Sequence, residues 1–111
     1  MINSLINVIV LYLKSVSLEA YSGGLATTDK YIKVGYHIKA RHNTDIFVLL
    51  GYVYVRDNIK VVILNGGDAI QTETALEDMN LDRIAKSFIE IRDICLSKGS
   101  SMKHHLENKP C

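Results

Sequence analysis

The sequence predicts an α+β domain in which an antiparallel sheet of three to five strands is packed by an N-terminal and a C-terminal helix. Three observations support this class. The chain begins with an apolar segment of helical period, continues with alternating segments joined by short polar turns, and closes with a second helical face. A length of 111 residues suits one domain. We place it at residues 1–99, followed by a flexible polar tail at 100–111.

The first element is expected to be a helix over residues 2–14. Its β-branched residues leave a strand as the alternative. The apolar run is far shorter than the ~20 residues of a membrane-spanning helix, and no Lys or Arg precedes it as in a signal peptide. We therefore expect no membrane span. The residues at one-face helical spacing are Ile2, Leu5, Ile6, Ile9 and Leu13.

The middle of the chain alternates between strand and turn signals. Because the connections are short, the strands are expected to form an antiparallel meander. Residues 69–74 are either a short edge strand or an irregular approach to the last helix. The predicted strands cover residues 15–21, about 30–40, 46–55 and 59–64.

The last element is predicted to be a helix that begins either at a capping box of Thr74 and Glu77 or at Asn80. Gly99 fits the position that ends it. Cys95 falls on its apolar face and is expected to be a small buried hydrophobic residue. Since Cys111 lies in the polar tail, the two cysteines do not indicate a disulfide framework. A reducing compartment, the cytoplasm, is the default location.

No residue spacing is typical of a catalytic or metal site. His104 and His105 are adjacent, so they cannot face one metal from one side of a helix. The turn at 65–68 does not match a phosphate-binding loop, and the acids that follow it would repel an anion. His42 and Asp45 could form an acid–base pair, but two polar residues in one turn are usually solvated. We therefore expect no catalytic residue, no metal and no cofactor, and the sequence favours a non-enzymatic role.

The strand at 30–41 has one apolar side and one basic side that includes an aromatic residue. Gly35 in its middle lets a flat ring or a backbone approach, or marks a bulge. Cations interleaved with an aromatic ring are typical of single-stranded nucleic acid sites, whereas a solvated sheet face is the plainer interpretation. The candidate binding residues are Tyr31, Lys33, His37, Lys39 and Arg41.

The segment 46–55 is apolar on both alternating sets of residues, so it is covered on both faces or lies in a subunit interface. If both helices pack on one face of the sheet, the other face stays bare and favours a homodimer. If they take opposite faces, no dimer is needed. The candidate interface residues are Phe47, Leu49, Val53 and Val55.

Charge is unevenly distributed along the chain. Residues 30–60 hold six basic and two acidic side chains, whereas residues 65–95 hold three basic and seven acidic ones. The sequence therefore predicts a small non-enzymatic interaction module, homodimeric, that binds a protein partner through its charged surface. The alternative is a single-stranded nucleic acid-binding protein that uses the basic side of residues 31–41. A small-molecule-binding sensor is the third hypothesis.

Overall fold

The computed structural model describes residues 2–23, 30–39, 42, 44–65 and 67–102. Its strands form one antiparallel sheet in the order β1-β2-β3-β4-β5, which confirms the predicted meander and its two flanking helices. The elements are α1 (Ile2–Ser15), β1 (Glu19–Gly23), β2 (Lys30–Lys39), β3 (Asp45–Val55), β4 (Asn58–Asn65), β5 (Asp68–Ala75), a 3₁₀ turn (Leu76–Asp78) and α2 (Leu81–Met102).

Both helices pack on the same face of the sheet. Helix α1 contacts β1 and β2, helix α2 contacts β2, β3 and β4, and the helices contact each other. Their buried residues join those of the sheet in a single hydrophobic core, where each fully buried aliphatic side chain contributes roughly 1.5–3 kcal/mol. Among the described residues, no element covers the opposite face of the sheet. The helical residues of the core include Ile6, Ile9, Leu13, Ala85 and Phe88.

A cap ends α1, and the first strand begins only after it. The amide of Leu18 donates to the Leu13 carbonyl at 3.1 Å, and the amide of Ser17 donates to the Lys14 carbonyl at 3.1 Å. Ser17 has a φ of 70°, so these bonds form a Schellman motif with Ser17 in the left-handed position. Leu13 and Leu18, the apolar pair of that motif, are both buried. The strand expected at 15–21 therefore begins only at Glu19.

Strand β3 contains a bulge that reverses its alternation. Gly35 pairs with Leu49, whereas the preceding residue, Val34, pairs with Gly51. Leu50 is the extra residue, and its side chain is buried in the core. A Cβ atom at Gly51 would collide with the Val62 carbonyl oxygen and would lie 3.0 Å from the Phe88 ring. Glycine at this position therefore lets Phe88 pack directly on the sheet.

Helix α2 begins where one of the two expected caps lies but ends later than expected. The side chain of Asn80 accepts a bond from the Arg83 amide at 3.1 Å, so Asn80 is the N-cap. Thr74 belongs to β5 instead. The helix continues through Gly99 to Met102, because one interior glycine costs only about 1 kcal/mol. The predicted stop at Gly99 is therefore wrong, and residues 103–111 of the predicted tail lie outside the described residues.

Two further findings bear on the expected location. Neither of the two described helices combines the length and the apolar character that crossing a bilayer requires. Cys95 is 1% exposed and lies in the core, as expected, but its sulfur is in a disulfide bond. The cytoplasmic location, expected from unpaired cysteines, stays a prediction.

The candidate binding face

We call the side of the sheet away from the helices the open face. Its residues follow from the register: Tyr21 pairs with Lys33, Lys33 with Tyr52, and Tyr31 with Tyr54. Four strands contribute aromatic or basic side chains to it, and β5 contributes Glu73 opposite Lys60. The aromatic and basic residues of the open face are Tyr21, Tyr31, Lys33, His37, Lys39, Phe47, Tyr52, Tyr54 and Lys60.

The aromatic rings of the open face form two clusters. In the first, Phe47 contacts Tyr21 edge-on at 5.6 Å between centroids and contacts His37 at 5.3 Å. The second consists of Tyr31, Tyr52 and Tyr54, with centroids 5.8–6.0 Å apart. These separations lie in the favourable range for aromatic pairs. Within each cluster, the rings therefore hold one another in place on the solvent side of the sheet.

Two glycines of the open face each lie beneath an aromatic ring. A Cβ atom at Gly23 would lie 2.8 Å from the Tyr31 ring, and one at Gly35 would overlap the ring of Phe47. Each ring thus lies against the bare backbone of the neighbouring strand, an arrangement that compensates for the missing side chain. The sequence predicted that Gly35 would admit a flat ring or a backbone, or mark a bulge. The Phe47 ring lies against it, and the register between β2 and β3 shifts at this residue.

Lysine side chains reach over this aromatic surface. The Nζ of Lys33 lies 5.6 Å from the centroid of Phe47, and the Nζ of Lys60 lies 5.4 Å from that of Tyr54. Such contacts contribute roughly 0.5–1 kcal/mol at exposed sites. Neither lysine forms an ion pair with a described carboxylate, so both ammonium groups are open to an incoming partner.

Acidic side chains balance the lysines. Glu19 lies 3.8 Å from Nδ1 of His37, and Asp45 lies 3.3 Å from Nζ of Lys39. Glu73 accepts a hydrogen bond from Asn58 at 2.8 Å. The strands of the open face therefore contribute three lysines and three carboxylates, and Arg56 lines a pocket there beside Lys60 and Glu73. The basic side predicted from β2 alone is neutralised by acids from β1, β3 and β5.

Two tyrosines have perturbed acidity. Partial burial raises the pKa of Tyr21, and the nearby Glu19 carboxylate adds to this shift. On the opposite side of β2, burial raises the pKa of Tyr36, an effect that Arg92 partly offsets. Tyr36 is 5% exposed and belongs to the core, so of these two tyrosines Tyr21 is the one that lies on the open face.

Most of the predicted binding residues come together. Tyr31, Lys33, His37 and Lys39 share the open face, as their alternation indicated. Arg41 lies outside the described residues. The sequence did not predict the aromatic surface around these residues. Tyr21, Tyr52 and Tyr54 come from other strands, and the prediction rested on the alternation of residues 31–41 alone.

The four candidate interface residues separate into two pairs. Phe47 and Leu49 lie on the open face, but Val53 and Val55 are 0% and 1% exposed and belong to the core. The bulge at Leu50 is the physical reason, because it moves Tyr52 and Tyr54 to the side that strict alternation assigns to the valines. Gly51, a glycine inside an apolar run, was the available signal.

Comparisons and ligand geometry add no further identification. No protein-family model, curated protein or solved structure matches this chain. Within the described ranges, no three His, Cys, Asp or Glu side chains converge as metal ligands would. The function must therefore be inferred from the open face itself.

Proposed function

We propose that the chain is a non-enzymatic protein-interaction module that forms a homodimer through its open face. The observation that carries this proposal is a bare sheet face with five tyrosine and phenylalanine rings and balanced charge. Aromatic residues are enriched at protein interfaces because they bury large areas with few rotatable bonds. A surface on which carboxylates offset most of the positive charge suits a protein partner better than a polyanion, which is attracted by net positive charge.

The size of the open face also fits a dimer. Strand β2 has 10 residues, which span about 33 Å at ~3.3 Å each, and five strands ~4.8 Å apart cover about 20 Å. The face therefore measures on the order of 600 Å², close to the ~800 Å² that each partner buries in a stable interface. A two-fold axis through the face would place the aromatic clusters of both copies in one interface.

Sedimentation velocity of the full chain tests this proposal. The wild-type chain is expected to sediment as a dimer, and Tyr52→Glu as a folded monomer, because the substitution places a charge among the rings. Leu11→Glu is the matched control, since Leu11 is 67% exposed on α1. A monomeric wild-type chain, or a dimer dissociated by Leu11→Glu but not by Tyr52→Glu, would refute the proposal.

Single-stranded nucleic acid binding remains the second candidate function. It is supported by the two lysine ammonium groups that lie over Phe47 and Tyr54, since cations beside stacking rings are typical of such sites. The test is fluorescence anisotropy with a labelled oligothymidine at two salt concentrations. Salt-sensitive binding that Lys33→Ala and Lys60→Ala together weaken would favour this function. Absence of binding at low salt would exclude it.

A further inference from the structure

Strand β5 is an edge of the sheet whose outer side has no partner among the described residues. It pairs only with β4. Every residue from Asp68 to Thr74 is exposed, because α1 packs mainly on β1 and β2 and α2 mainly on β2, β3 and β4. The outer amide and carbonyl groups of β5 are therefore available to another extended chain.

Apart from two acidic side chains, this edge lacks the features that usually discourage pairing. Its eight residues include no proline, lysine or arginine, and its register with β4 has no bulge. The opposite edge, β1, has only five residues and is packed by α1. Pairing with an added strand is therefore more favourable at β5 than at β1.

A groove with both apolar and polar lining lies beside β5 on the helix side of the sheet, and its polar residues include Asp78, Asn80, Arg83 and Ser87. It has a volume of about 360 Å³ and lies between β4, β5 and the start of α2. Ile70 is 51% exposed there, and Thr72 and Thr74 lie on the same side of the strand. The remaining apolar lining is Ile59, Val61, Ile63, Met79 and Ile84.

We propose that β5 binds an extended peptide segment as a sixth strand of the sheet. Backbone bonds to the β5 edge supply affinity, and alternate apolar side chains of the segment pack beside Ile70 over the groove. The other side chains of the segment lie next to Glu73. Because Glu73 is the charge that β5 presents on that side of the sheet, a segment that alternates apolar and basic residues is the complementary one. This proposal does not depend on dimerisation through the open face.

The first experiment uses a fluorescein-labelled peptide of repeated Val-Lys dipeptides, about ten residues long. Two analogues are N-methylated, one on the valines and one on the lysines. Since alternate amides of a strand point to the same edge, only one analogue loses its bonds to β5. That analogue should bind at least roughly tenfold more weakly, and the other should bind nearly as well as the parent. Equal binding of both analogues, or no binding of the parent peptide at about 1 mM, would overturn the proposal.

The second experiment locates the bound peptide. Hydrogen exchange of the full chain should slow at amides within residues 68–75 when the Val-Lys peptide is present. Ile70→Lys should weaken binding at least roughly fivefold, and because Ile70 is half exposed the variant is expected to fold. Leu11→Lys on α1, where Leu11 is exposed and belongs to neither proposed surface, serves as the control that retains binding. Loss of binding in Tyr52→Glu, without loss in Ile70→Lys, would instead place the peptide on the open face and refute the proposal.

Discussion

Ser17 holds a backbone conformation that its side chain disfavours. A non-glycine residue in the left-handed region is strained by roughly 1 kcal/mol, and Ser17 has a φ of 70° at the end of α1. Its amide is bonded within the cap, so the conformation is required by the helix end. Substitution by glycine is therefore a way to stabilise the protein without changing a core contact.

We predict that Ser17→Gly raises the free energy of unfolding by about 0.5–1 kcal/mol. Urea denaturation monitored by circular dichroism measures the change. Ser15→Gly is the contrasting variant, because Ser15 is the last residue of α1 and its hydroxyl donates to the Tyr12 carbonyl at 2.6 Å, so its substitution should destabilise the helix end. A Ser17→Gly variant no more stable than wild type would mean that the strain is relieved in another way.

Tyr36 links stability to alkaline pH. Burial raises its pKa above the usual value, so the folded state favours the protonated phenol more than the unfolded state does. This contribution is complete below the unfolded pKa of ~10 and is lost as pH rises through the folded pKa. Tyr36→Phe should therefore lose less stability than wild type between about pH 9 and pH 11. Urea midpoints across that interval test the prediction, and identical slopes for the two proteins would contradict it.

The start of α2 depends on one side chain. Asn80 accepts the Arg83 amide bond, and its loss leaves a helix donor without that partner. We predict that Asn80→Ala lowers the free energy of unfolding by about 1 kcal/mol. Asn80→Ser, which keeps a capping oxygen, should retain most of that stability. Chemical denaturation of both variants provides the comparison. If both lose the same free energy of unfolding, the capping oxygen is not the source of the stability.

Strands β2 and β3 show how far the sequence could predict the binding face. Strand β2 alternates without interruption, so its polar residues were assigned to one side from the sequence. In β3, the extra residue at Leu50 shifts the alternation by one, and a bulge is set by pairing with another strand rather than by local pattern. Tyr52 and Tyr54 were therefore missed, although they are two of the five tyrosine and phenylalanine residues of the open face.

The ends of the helices were harder to predict than the helices themselves. The apolar spacing of α1 and α2 identified both correctly, because packing against a sheet demands a continuous apolar face. The Schellman cap at Ser17 uses serine instead of glycine, so it left no clear signal. Gly99 gave a strong but misleading signal, since a glycine ends a helix only when the backbone there turns left-handed.

At the scale of the whole molecule, the arrangement of the helices decides which surface remains for binding. Because α1 and α2 share one face, the order of charges along the chain does not describe the charges on the surface: the open face carries acids from three strands, Glu19, Asp45 and Glu73, among its lysines. A basic sheet opposed to an acidic helix, as the linear sequence indicated, is therefore not what a partner meets.

The dimer proposal makes a thermodynamic prediction. If folding and association are coupled, the melting temperature rises with protein concentration, by about 3 °C for each tenfold increase in a chain of this size. Tyr52→Glu should melt at a temperature that does not depend on concentration. Differential scanning calorimetry over two decades of concentration tests both expectations, and a wild-type melting temperature independent of concentration would argue against coupled dimerisation.

The placement of the tyrosines gives the open face its own optical signal. The chain has six tyrosines and no tryptophan, and four of those tyrosines, Tyr21, Tyr31, Tyr52 and Tyr54, lie on the open face. Most of the intrinsic ultraviolet emission of the protein therefore originates where a partner would bind. Occupancy of that face can be followed by unlabelled tyrosine fluorescence, whereas a peptide added along β5 leaves those rings in contact with solvent.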